Sequence, residues 1–251
     1  MIADPTFYYL AVPAILITGI AKGGFCSPLG MLSVPIAALV IDPVTAAAIM
    51  LPILVSMDLI GLVVYRGKAN RHILTHMLPF AICGVGLGWL LADKMNEEVI
   101  RLALGLVALG FVLNYFFLAR QPKDGKPGGT VSAAIWGTLT GFTSFIAHAG
   151  NPPYQIYALP MRLPPIQFAA TMVYFFAITN LVKLIPYFAL GQFSRENLTT
   201  TLTLLPLAPI GVGIGVLLVR ALDQNLFYKL AYGAMLLVSI KLCYDGVLSL
   251  F

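Results

Sequence analysis

Along the chain, hydrophobic positions gather into long runs near residues 44–65, 73–92, 99–119, 165–190, 199–219 and 227–248, with short charged loops between them. Each run is about as long as the roughly 20 residues needed to cross a bilayer core as a helix. The pattern therefore predicts six full membrane spans. Two further apolar regions, 7–41 and 131–163, are cut by polar, helix-breaking sequences: Gly-Ile-Ala-Lys-Gly-Gly-Phe-Cys-Ser-Pro at 19–28 and Ala-His-Ala-Gly-Asn-Pro-Pro at 147–153. The cuts leave limbs of roughly 10–15 residues, and at about 1.5 Å rise per residue such a limb reaches only partway through a core of roughly 30 Å. Each region is either a re-entrant hairpin with its tip near mid-membrane, or one or two tilted spans broken by the motif. Backbone groups freed at that depth survive only where protein or a hydrated cavity receives them, so each break is a candidate binding site. Both breaks end in a helix-start signature, Ser27-Pro28 and Asn151-Pro152, a capping side chain followed by proline at the first helical position. Two half-helix N-termini inside a membrane would form an anion site.

Composition agrees with the pattern. Hydrophobic residues are 59% of the chain and charged ones 10%, against roughly 45–50% and about 25% in soluble domains, which argues against a soluble protein. The loop 66–72 carries Arg66, Lys68 and Arg71, and 120–128 carries Arg120, Lys123 and Lys126 against Asp124 alone. Between them, 93–101 sets Asp93, Glu97 and Glu98 against Lys94 and Arg101. Lys and Arg concentrate in cytoplasmic loops, so 66–72 and 120–128 are placed inside, 93–101 outside, and the run 44–65 starts outside. No basic residue precedes Lys22. An external N-terminus followed by a hairpin that returns to the same side satisfies every loop, which makes the hairpin the preferred reading of 7–41. The missing basic n-region also argues against a secretory signal. The net charge of +5 reflects these loops, and no nucleic-acid partner is read from it.

The two halves match. Adding 122 takes Gly19 to Gly141, Pro43 to Pro165, Ala47 and Ala48 to Ala169 and Ala170, Met50 to Met172, and Tyr65 to Tyr187. Adding 127 takes Leu78-Pro79 to Leu205-Pro206, and Gly84, Gly86 and Gly88 to Gly211, Gly213 and Gly215. A register that changes only at a loop points to duplication, with a first membrane repeat over 1–120, a cytoplasmic linker over 121–130 and a second repeat over 131–251. A hairpin plus three spans makes an odd number of crossings, so the second copy lies upside down relative to the first. The expected fold is an all-α integral membrane protein of two inverted repeats, a plan that recurs in secondary transporters.

Gly-Ile-Ala-Lys-Gly-Gly-Phe at 19–25, Leu-Pro-Ile-Leu-Val-Ser-Met-Asp at 51–58, Tyr65-Arg66 and Ala-His-Ala-Gly-Asn-Pro-Pro at 147–153, continued by Thr171, Phe175-Phe176, Asn180 and Lys183, resemble the sulfite exporter TauE/SafE family of membrane permeases. The resemblance covers nearly the whole chain. It implies a multi-pass protein of the bacterial cytoplasmic (inner) membrane that moves small sulfur-containing or organic anions such as sulfite, sulfonates and sulfoacetate. Asn151 departs from the family pattern, which would have a third small residue such as glycine after His-Ala-Gly, and it adds a hydrogen-bond donor.

The candidate substrate-binding residues are Lys22, Gly23, Gly24, Ser27, His148, Gly150, Asn151, Thr171, Asn180 and Lys183. An ammonium deep in the membrane is costly unless paired or hydrated. Lys22 is read either as the charge that attracts the anion or as a lysine snorkelling to the interface. Gly23-Gly24 lets backbone approach a ligand or simply turn sharply. His148 could donate to an oxyanion or pass a proton near neutral pH, and it also has an ordinary structural reading. Asn151 serves as a helix cap, an amide offered to substrate, or both. Asp58, the candidate coupling-ion residue, would bind the coupling proton or else act as a structural partner to Lys22 or Lys183. Adding 122 to it lands on Asn180. Lys183, with Gly61 at the equivalent place, completes an anion pocket or neutralises Asp58. Thr171, Thr179 and Gln167 could line the path, although membrane Ser and Thr often bond only their own backbone. Asp42, Arg162, Arg195 and Arg220 fall at predicted span ends.

No second His or Cys stands at ligand spacing from His148, so no metal is expected, and no cofactor is implied. Cys26, Cys83 and Cys243 are too few and too distant for a disulfide framework. No Gly-x-x-x-x-Gly-Lys-Ser/Thr sequence supports direct ATP drive. The leading expectation is a non-enzymatic secondary transporter working by alternating access, with proton coupling as an option, whose partners are a small anionic substrate and the lipid bilayer. An anion channel and a carboxylate transporter stay open beside it, as do monomer and homodimer. An intramembrane enzyme using His148 and Asp58 lacks a nucleophile in register and leaves the repeats unexplained.

Overall fold

A computed structural model describes residues 2, 4–25, 27–37, 39–91, 97–113, 116 and 128–248. All regular structure among them is helical: α1 (Pro5–Lys22), a 3-10 turn (Ser27–Leu32), α2 (Ser33–Ala37), α3 (Pro43–Val64), α4 (Arg71–Leu91), α5 (Glu97–Leu113), α6 (Thr130–Ala147), α7 (Asn151–Ala158), a 3-10 turn (Leu159–Met161), α8 (Pro165–Ala189), α9 (Arg195–Leu204), α10 (Leu207–Ala221) and α11 (Gln224–Leu248). Several starts follow the cap-then-proline rule. Asp4 accepts from the Thr6 N–H at 2.8 Å ahead of Pro5. Asp42 accepts from the Val44 and Thr45 N–H groups at 2.9 Å ahead of Pro43.

Helices α1, α3, α4, α8 and α11 are long and apolar enough to cross a membrane, and the bent pair α9 and α10, angled at 46°, makes a sixth candidate. The bend falls at Leu205-Pro206, as a proline without an N–H would cause. Five of the six expected runs are recovered. The sixth, 99–119, appears as α5, and residues 114, 115 and 117–119 lie outside the described ones. The two interrupted regions differ from expectation. Their first limbs, α1 and α6, are 18 residues each, about 27 Å at 1.5 Å per residue, and therefore longer than half-membrane limbs. Pro13 inside α1 does not end it. The second limbs are short: Ser27-Pro28 opens a 3-10 turn and a five-residue helix rather than a long helix.

The helices sort into two compact units, each drawn from two separate stretches of the chain. The first comprises Met1–Asn70 and Pro165–Leu222, the second Arg71–Pro164 and Asp223–Phe251. In the first, α1 packs on α10, and α3 packs on α8. Glycine permits the α1/α10 approach: a Cβ on Gly19 would stand 2.7 Å from Gly211 Cα, and one on Gly23 2.6 Å from Val212 O. In the second unit α4 packs on α6 and α5 on α11. There a Cβ on Gly141 would meet Ala81 O and Val85 N, and one on Gly88 would stand 3.0 Å from Phe145 Cβ. Beside the buried core, many large apolar side chains point outward, among them Ile210, Ile214 and Leu217 on α10 and Leu237, Ile240 and Val247 on α11. Such a belt suits lipid.

Candidate functional site

In the first unit, three elements bring charge into the interior. Lys22, the last residue of α1, stands where the helix stops. Its Nζ lies 2.7 Å from Asp58 Oδ1 on α3. The Asn180 side-chain amide on α8 donates to the other carboxylate oxygen, Asp58 Oδ2, also at 2.7 Å. Asp58 is 2% exposed, Asn180 3% and Lys183 0%, while the Lys22 side chain keeps 13%. Lys183, on the same helix as Asn180, is within electrostatic reach of both Asp58 and Lys22. The Lys22 ammonium also sits 5.3 Å from the centre of the Phe176 ring, a distance at which a ring face attracts a cation. The sequence brought Asp58 and Asn180 together as repeat equivalents and offered Lys22 or Lys183 as the carboxylate's partner. Lys22 is the direct one.

The segment after Lys22 is pinned in the same unit. Gly24 has φ of 103°, which glycine tolerates, and a Cβ there would strike Ala169. The fully buried Tyr65 donates its hydroxyl to Gly23 O at 2.6 Å. Neither Tyr65 nor Phe176 was singled out as a site residue. Their signal lay in the Tyr-Arg and Phe-Phe pairs that carry the family resemblance. Thr171 donates to Gln167 O at 2.6 Å and accepts from the Asn70 N–H at 2.8 Å, and Thr179 donates to Phe175 O at 2.8 Å. These hydroxyls serve backbone. Ser27 begins the 3-10 turn, its side chain and all of Cys26 lying outside the described residues.

The second break belongs to the second unit. α6 ends at His148, whose φ of 50° places it in the left-handed region. Thr143 ties the turn: its carbonyl accepts from the Ala149 N–H at 3.1 Å, and its Oγ1 lies 3.1 Å from Ala149 O. Gly150 is buried and is the N-cap of α7. Asn151 does not cap that helix, contrary to the expectation. It is the first helical residue, and its Oδ1 accepts from Gln155 Nε2 at 3.5 Å. The chemistry explains why: Pro153 has no N–H to offer a cap, and the Tyr154 N–H is bonded to Gly150 O at 3.3 Å. His148, Gly150 and Asn151 are thus grouped by one turn, apart from the residues of the first unit.

The span-end residues lie as expected: Asp42 caps α3, Arg195 begins α9, and Arg220 is in the last turn of α10. Arg162 lies 5.5 Å from the Tyr228 ring. Among the described residues no three His, Cys, Asp or Glu side chains gather as a metal site. A family model described as Sulfite exporter TauE/SafE matches residues 11–242 of the chain. No curated protein and no solved structure matches it.

Proposed function

The chain belongs to the sulfite exporter TauE/SafE family of membrane transporters, and from that premise we propose that it carries small sulfur-containing anions such as sulfite, a sulfonate or sulfoacetate across the bacterial inner membrane by alternating access. It is a multi-pass membrane protein. The observation that carries the reading is the interior group of Lys22, Asp58, Asn180 and Lys183, placed at the point where α1 breaks. Ionisable residues inside a membrane are expensive and mark transport paths and proton relays. Lys22 and Lys183 supply ammonium groups beside the carboxylate that an anion can engage, and Asp58 is the proton carrier. In this reading Gly23-Gly24 is the backbone approach, and His148, Gly150 and Asn151 form a separate polar turn within the second unit. The partners are the anion and the bilayer.

The proposal includes two inverted repeats, 1–120 and 131–251, joined by 121–130. Support comes from contacts that recur under the sequence offsets. Gly23 against Gly215 in one unit corresponds to Phe145 against Gly88 in the other, and the equivalents of the Gly19–Gly211 pair, Gly141 and Gly84, each lie against the facing backbone, Ala81 and Val85 for the first and Thr138 and Phe142 for the second. Asp58 bonds Asn180, its own equivalent, 122 residues on.

The test is uptake of labelled sulfite or sulfoacetate into proteoliposomes. Lys22→Ala should abolish uptake, while Arg195→Ala, at an exposed helix start, should leave it near the unmodified rate. Full uptake by the Lys22 variant would reject the assigned role.

A further inference from the structure

We infer that Asp58 is a tethered stand-in for the transported anion: it occupies Lys22 when the site is empty, the anion displaces it, and the freed carboxylate takes up a proton. This rests on the transport reading above and specifies how that site couples its two ions.

The carboxylate is held as a bound oxyanion would be. One oxygen receives an ammonium and the other an amide N–H, each at 2.7 Å and each from a different helix. Charge-assisted bonds of that length are strong, and a sulfite or sulfonate oxygen would seek the same donors. Exposure orders the two partners. Lys22 keeps 13% of its side chain accessible while Asp58 keeps 2%, so an arriving anion meets the ammonium first and the carboxylate lies behind it. A second anion on Lys22 beside an ionised Asp58 would place two like charges together in a poorly screened interior, which disfavours the charged form of the carboxyl.

The balance is simple. The Lys22–Asp58 ion pair breaks, an ion pair between Lys22 and the anion forms, and one proton from solvent adds to the displaced carboxylate to give the neutral acid. A monovalent anion and a proton enter together, and the charge of the cluster does not change. The charged groups facing Asp58 are Lys22 from α1 and Lys183 from α8. α2 holds no titratable residue, and Arg195 and Glu196 of α9 and Arg220 of α10 are not among the groups acting on it. Asn180, at the repeat-equivalent position, is an amide and cannot titrate. The cluster therefore offers one carboxyl, and the proposed step assigns it one proton per anion, with Lys183 keeping its protonation state through the step.

The displaced state also predicts an affinity. If Asp58 holds Lys22 in nine molecules of ten, the apparent affinity is about tenfold weaker than that of the vacant ammonium. Sulfite binding to the purified protein and to Asp58→Asn is measured by titration calorimetry from mildly acidic to mildly alkaline pH. The ratio of the two dissociation constants cancels the titration of sulfite itself. The expected result is tighter binding by Asp58→Asn, by about tenfold at the alkaline end, with the ratio falling toward unity as pH drops. In the unmodified protein, repeating the alkaline titration in two buffers of different ionisation enthalpy, with methanesulfonate as a second probe of fixed charge, should show proton uptake on binding. This second measurement needs no variant to fold. Equal or weaker binding by a folded Asp58→Asn at every pH overturns the inference while leaving anion transport standing, as does binding without proton uptake. Absence of binding to either protein overturns both.

Discussion

Removing Lys22 should leave the Asp58 carboxylate inside α1, α3 and α8 with its ion pair gone. Breaking a buried pair by deleting one partner costs about 3–5 kcal/mol, chiefly from the uncompensated charge. Lys22 keeps 13% exposure, which admits some water and favours the lower end, and the Asn180 amide at 2.7 Å still serves one oxygen. About 3 kcal/mol is therefore expected for Lys22→Ala. At about 2–4 °C per kcal/mol for a chain of this size, the midpoint should drop by about 6–12 °C. The double variant Lys22→Ala/Asp58→Asn removes the stranded carboxylate, leaving Lys183 as the buried ionisable group, and should recover part of that loss. The assay is thermal unfolding in detergent without ligand for the unmodified protein, both single variants and the double. A coupling between the two sites of less than about 0.5 kcal/mol, which is the additive limit for independent sites, would refute the reasoning.

Three further outcomes are expected. Gly19→Leu should force α1 from α10, since even its Cβ would lie 2.7 Å from Gly211 Cα. The cost is about 1–3 kcal/mol, visible as a lowered unfolding midpoint, whereas Gly213→Ala on the same α10, with nothing within 4 Å, should be neutral. Tyr65→Phe removes the donor to Gly23 O and should lower the midpoint by an amount near 1 kcal/mol, with slower labelled-sulfite uptake because the segment after Lys22 is loosened. The Thr45 hydroxyl, with the Thr45 and Val44 N–H groups, holds the exposed Asp42 carboxyl below its usual value of 3.8. Its small contribution is fully present above that value and is lost as pH falls through the lower folded-state value. Asp42→Ala, which removes the cap of α3, should cost about 1 kcal/mol near neutral pH and less in strong acid, checked by unfolding midpoints across pH.

Much of the architecture could be read from the chain because a bilayer admits few solutions. Runs such as 44–65 and 165–190 announced α3 and α8 by length and hydropathy alone, and the offset of 122 named Asp58 and Asn180 as equivalents before any contact was known. Where the reading failed, the determining facts lay in three dimensions. The length of α1 depended on whether the helix tolerated Pro13. Asn151 was assigned a cap because side-chain type and the following proline fit, while the competing Gly150 carbonyl had already taken the Tyr154 N–H. Lys22 and Lys183 were equal candidates for Asp58, since sequence separation carries no information about which ammonium arrives within 2.7 Å. Thr143, which ties the turn at His148, looked like any other hydroxyl on a membrane helix.

The interleaving of the two compact units bears on how the chain is made. α1 leaves the ribosome first, yet the glycine face at Gly19 and Gly23 finds its partner at Gly211 and Gly215 on α10, almost the whole length of the protein later. α3 waits likewise for α8, and α5 for α11. Chains normally consolidate domain by domain during synthesis, but here neither unit can close until most of the second half has entered the bilayer. Until then the Lys22–Asp58 pair has no Asn180 to complete it, and the early helices depend on lipid or an insertion factor to shield their small-residue faces. The first unit is completed only when α8 to α10 arrive and the second only with α11, so a chain truncated after residue 164 would complete neither.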